Sequence, residues 1–138
     1  MRATIKTSRP AGRGLLNLGT FNLAGGTLGG TTLATSDFGA IMNAAGSVTA
    51  PLLNNGLLNV TGSLNAGAIT NVGAMSFSGP GAVLRPQLLV NNGGITLNGG
   101  AIAGAGGALN TGLLSGSGAI SVAFTNSGTL AVVPGTRA

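Results

Sequence analysis

The stretch Leu53-Asn54-Asn55-Gly56-Leu57-Leu58-Asn59-Val60-Thr61-Gly62 decides the fold of this chain. It opens on an Asn-x-Gly turn, alternates apolar and polar residues through Leu58, Asn59 and Val60, and closes on a second glycine. Alternation with period two places successive side chains on opposite faces of a strand, one inward and one outward. The unit therefore reads as turn, strand, turn.

The same unit recurs along the chain. Taking Gly19, Gly39, Gly56, Gly73, Gly93, Gly112 and Gly128 as anchors, the gaps run from 16 to 20 residues. Two positions before them stand Asn17, Asp37, Asn54, Asn71, Asn91, Asn110 and Asn126. Two positions after them stand Phe21, Ile41, Leu58, Met75, Ile95, Leu114 and Leu130, which the alternation predicts to point inward. Four positions after, Leu23, Val60, Phe77, Leu97 and Val132 continue the pattern, while Asn43 and Gly116 depart from it and Met42 occupies an otherwise small or polar slot. A second glycine follows at Gly25, Gly46, Gly62, Gly79, Gly99, Gly118 and Gly135, and an aliphatic comes soon after it in most copies.

Glycine at this density disfavours helix by ~1 kcal/mol per site, and Asn, Ser and Thr favour turns and caps. The chain is predicted to be all-β. A period of about 18 residues is too short for a propeller blade of ~40 residues or a helical pair of ~33, and suits one coil of a parallel β-solenoid. About seven such coils at a strand spacing of ~4.8 Å would form a rod on the order of 34 Å long. In register, the Asn/Asp positions stack and their amides can bond along the axis, as in cross-β ladders. The Asn-x-Gly pair is expected to supply left-handed turn conformations, which Gly and Asn tolerate best. Residues 14–138 are assigned to the solenoid and residues 1–13 to a basic, disordered arm.

Composition excludes most catalytic chemistry. Cys, His, Trp and Tyr are all absent and Asp37 is the single acid among 138 residues, so imidazole bases, thiolates and paired carboxylates cannot be assembled. Glycoside hydrolysis ordinarily takes two carboxyl groups, and Asp37 occupies a turn-Asn position instead. Serines lack a basic partner, and Arg85 lacks the acidic surroundings of a lyase cation site. The run Gly104-Ala105-Gly106-Gly107 lacks the lysine of a phosphate loop and reads as a turn. No cofactor or metal is expected, and the chain is read as not an enzyme.

The formal charge of +5 is concentrated: Arg2, Lys6, Arg9 and Arg13 precede the first coil, leaving only Arg85 and Arg137 for the rest. A nucleic-acid surface needs a field over many phosphates and stacking groups, so no nucleic-acid partner is expected. The mean hydropathy of +0.50 comes from dispersed apolar residues, with no run near the ~20 that a membrane helix requires. Neither a membrane-spanning segment nor a signal peptide is recognised.

Units such as Leu53–Gly62 and Phe124-Thr125-Asn126-Ser127-Gly128-Thr129-Leu130-Ala131-Val132 resemble the passenger repeats of bacterial autotransporter and filamentous-haemagglutinin-like adhesins, over about residues 14 to 136. The resemblance implies a right-handed parallel β-helix, secreted or displayed at the outer-membrane surface as a stalk or adhesive segment, and here a fragment of a longer protein. Host-cell or matrix glycans or proteins are the implied partners. Unpaired end coils would add end-to-end self-association. The alternative reading is a glycan-binding or carbohydrate-active β-helix.

Overall fold

A computed structural model describes residues 16–29 and 34–134 of the chain. Its fourteen strands pair only in parallel, each with the equivalent strand one coil earlier or later. No helix occurs among the described residues. The chain is a β-solenoid of about six turns rather than the seven coils counted from the repeats. The physical reason is that seven stacked turn positions bound six intervals. The basic arm at residues 1–13 lies outside the described residues, as does Gly135.

Each turn contributes to three strand columns. The first contains Leu52–Asn54 and Gly107–Asn110, the second Ala74–Phe77 and Gly94–Thr96, and the third Ala101–Ile102. The strand Leu57–Asn71 runs continuously through all three columns, and its alternation persists around the coil with Leu58, Val60, Leu64, Ala66 and Ile69 buried. Adjacent coils thus share one continuous hydrogen-bonded wall.

The core lies inside that wall as vertical stacks of like side chains. Phe21, Met42, Leu58, Met75, Ile95 and Leu114 form one stack, and Leu64, Leu84 and Ile102 form another. Full burial of such side chains stabilises by roughly 1.5–3 kcal/mol each. A slip by one residue along a strand would turn the whole stack outward, so register is strongly specified. Leu130 extends the first stack but is 44% exposed, because it sits in the last described turn.

The second turn departs from the sequence frame. The ladder position there is Ser36 rather than Asp37: Asn17 pairs with Ser36, and Ser36 with Asn54. The anchor position is Ala40 rather than Gly39, since Ile41 pairs with both Thr20 and Leu57. Consequently Ile41 faces outward, and Met42 and Ala44 are the buried pair. The corner between Ser36 and Met42 is two residues longer than the corner between Asn54 and Leu58. Asp37 to Ala40 close a tight turn, with the Ala40 N–H donating to the Asp37 carbonyl at 2.9 Å and Gly39 at φ +85°. That insertion imitates an Asn-x-Gly unit one residue out of phase.

Candidate functional site

The most ordered polar feature of the molecule is the column of amides at the first corner. Asn17, Ser36, Asn54, Asn71, Asn91 and Asn110 are all buried, in register, and placed at the end of a first-column strand. Burying a polar group without partners costs ~1–3 kcal/mol, so the column persists only because its members satisfy one another. The Nδ2 of Asn54 donates to Asn71 Oδ1 at 2.7 Å, that of Asn71 to Asn91 at 2.8 Å, that of Asn91 to Asn110 at 2.7 Å, and that of Asn110 to Asn126 at 2.8 Å. The same Nδ2 groups also reach a backbone carbonyl of the next turn, as from Asn91 to Leu113 at 3.0 Å. Each amide therefore ties one coil to the next.

The ladder breaks at the second turn. Asn17 donates to Ser36 Oγ at 3.1 Å, but the shorter serine does not reach onward, and Asn54 Oδ1 is buried with no partner. Asp37 is half-buried beside the column, where its Oδ1 accepts the Phe38 N–H at 2.8 Å. Its role is that of a turn residue.

The anchor glycines are explained by space rather than by handedness. Gly56, Gly73, Gly93, Gly112 and Gly128 do not have positive φ; a Cβ on Gly73, Gly93, Gly112 or Gly128 would collide with the carbonyl of the anchor one coil earlier, and one on Gly56 with that of Ala40. The left-handed conformations lie elsewhere, notably at Gly99 with φ +90° after Asn98 with φ +48°. Gly19 meets nothing within 4 Å, because it belongs to the first described turn.

Outside the wall a second amide series runs along the second column. Asn43 donates to Asn22 Oδ1 at 2.7 Å and Asn59 to Asn43 Oδ1 at 2.8 Å, after which Ser76, Thr96 and Ser115 continue the register. Stacking brings together one constellation that linear reading separates: Arg85-Pro86-Gln87 and Gly104-Ala105-Gly106 line an open depression one coil apart. The Arg85 guanidinium donates to Ser63 Oγ at 2.9 Å. Gly104 itself had been legible only as a turn residue, and nothing in the local sequence marks its neighbour.

Among the described residues no group of three His, Cys, Asp or Glu side chains could hold a metal ion, and no helix is long and apolar enough to cross a membrane. Fold and site together define a parallel β-solenoid closed by an internal asparagine ladder, with amide and hydroxyl side chains on part of its exterior. No family model matches the chain, and neither a curated protein nor a solved structure is significantly similar to it.

Proposed function

We propose that the chain is a non-catalytic structural or adhesive β-solenoid segment of a secreted or surface-displayed bacterial repeat protein, with autotransporter-like adhesins as the class it resembles. The observation that carries this reading is the asparagine ladder itself. Its buried amides are committed to joining coil to coil, as between Asn71, Asn91 and Asn110, which suits a stiff spacer. The rest of the sequence offers one acid and no His or Cys for chemistry.

In this reading the exterior of the solenoid meets host-cell or matrix glycans or proteins, and its end strands add further copies end to end. The test is adhesion of beads coated with the full chain to host cells and to immobilised matrix. Retention well above that of uncoated beads, with no cleavage of matrix polysaccharides, is expected. Uniform failure to adhere, or release of reducing sugar ends, would overturn the proposal.

A second reading, a glycan-binding or carbohydrate-active β-helix, is favoured by the exposed amide series Asn22, Asn43 and Asn59, whose members present hydrogen-bonding groups at the coil spacing. Aromatic platforms for sugar rings are sparse, since every aromatic residue is one of four Phe.

A further inference from the structure

The column that carries Thr27, Ser47 and Asn65 on the outside of the third strand column changes character at Arg85. Arg85 is exposed, and it is the one cationic side chain among the residues whose side chains are described. Its bond to Ser63 Oγ holds one Nη and leaves the remaining guanidinium donors for another acceptor. Asp37, the only acid in the chain, is tied into the turn at Phe38 and Ala40. The cation is thus fixed in place without a carboxylate.

Its surroundings are built of backbone. Across the depression lie Gly104 and Gly106, and the packing leaves neither replaceable: Gly104 has φ +110°, and a Cβ on Gly106 would run into the Pro86 and Gln87 carbonyls. The stem of Arg85 packs over Gly104, with its Cβ and Cγ at 3.7 and 3.8 Å from the position a Cβ there would take. Among the described residues, the N–H groups of Gly104, Ala105 and Gly106 donate to no backbone carbonyl. Pro86 is buried on the core side, the exposed Ala105 adds an apolar contact, and the exposed Gln87 adds an amide that can donate and accept.

We propose that this depression binds an acidic sugar residue, a hexuronate, through its carboxylate. The planar guanidinium matches a carboxylate in a two-bond fork, which a point-like cation does not. The unpaired backbone N–H groups supply further donors to the anion, the CH face of the ring lies against the exposed Ala105, and Gln87 meets ring hydroxyls. This site is independent of whether the solenoid is displayed as an adhesin.

The test is a titration of the full isotope-labelled chain with a trigalacturonate, followed by amide NMR, with acetate and a neutral galactose trimer as controls. A single shallow site of this kind is expected to bind with a Kd on the order of 1 mM. Saturating shifts are expected at the Gly104, Ala105 and Gly106 amides, absent with the neutral trimer and weaker with acetate. Arg85→Gln, at an exposed position, is expected to leave the spectrum otherwise intact and weaken binding at least tenfold, and Ser63→Ala about threefold. Shifts confined to the basic residues before the first coil, an equal response to the neutral trimer, acetate binding as tight as the trigalacturonate (an adventitious anion only), or unchanged binding by Arg85→Gln would each overturn the proposal.

Discussion

The corner bearing Asn54, Asn71, Asn91 and Asn110 and the opposite side of each coil obey different rules within one repeat. At the corner, the first inward side chain stands four positions after the ladder amide, as Ile95 does after Asn91, in every turn except the one holding Ser36. The return path to the next ladder position varies, from 12 positions, Met42 to Asn54, to 16 positions, Met75 to Asn91. Two constraints coincide at the corner: an internal ladder that fixes donors, and anchor glycines whose carbonyl lies where the next coil's Cβ would be. On the return side the ladder is absent and carbonyl-blocked glycines such as Gly46, Gly106 and Gly118 alternate with open ones such as Gly25, Gly79 and Gly81, and length changes are absorbed by turns and by the register shifts between Ala24 and Thr27 and between Ala44 and Gly46.

The comparison breaks most sharply at an anchor. In Gly93→Ala the new methyl would overlap the carbonyl oxygens of Gly73 and Val72. Those coils cannot move apart without stretching the bonds from Gly94 N–H to Gly73 O at 3.0 Å and from Leu113 N–H to Gly93 O at 2.8 Å. Overpacking of this kind costs about 3 kcal/mol, the upper end of the usual range, because backbone rather than a flexible side chain stands in the way. A urea-unfolding midpoint measured on the variant is expected to fall accordingly. A loss under ~0.5 kcal/mol, the scatter of ordinary surface changes, would show that the corner yields as easily as the return side.

How much of this was legible follows from the same contrast. Period-two alternation at Leu58, Asn59 and Val60, and its recurrence, suffice for a solenoid because each inward column is a direct consequence of the strand pleat. The second turn was misread because Asp37-Phe38-Gly39 copies the Asn-x-Gly spelling while serving an inserted turn. A trace of the insertion was present: Met42 and Asn43 both violated the pattern, and moving the frame by one residue places Met42 and Ala44 in the core. The role of the anchor glycines was hidden, since an unavailable Cβ position depends on the neighbouring coil and leaves no mark in local sequence. The approach of Arg85 to Gly104 was hidden for the same reason.

The second turn also offers a way to sharpen the comparison by repair. Ser36 is 1% exposed and stands in register with Asn17 and Asn54, yet its hydroxyl leaves Asn54 Oδ1 without a donor. In Ser36→Asn the longer side chain would accept from Asn17 as its equivalents do and donate to Asn54 Oδ1. Satisfying a buried acceptor is expected to raise stability by about 1 kcal/mol. The midpoint of urea unfolding should rise. If it falls, the two-residue insertion has altered the corner too far for an amide to bridge it, and the ladder is a property of the uninterrupted turns alone.

The smallest effect is expected on the return side, at Gly81. It is exposed, lies outside the positive-φ set, and meets nothing within 4 Å at the position of a new Cβ. It sits inside the turn closed by the Ala82 N–H to the Gly79 carbonyl at 3.0 Å, which a methyl group would leave intact. Gly81→Ala therefore acts chiefly on the unfolded chain, whose freedom it reduces, and is expected to stabilise by ~0.5 kcal/mol. Beside Gly93→Ala it isolates the cause: the same added methyl has opposite signs because one glycine faces solvent and the other faces a carbonyl. A loss of more than about 1 kcal/mol, a full reversal of the expected entropic gain, would mean that the return turns are held as tightly as the corner. The variation in coil length would then need a source other than slack in those turns.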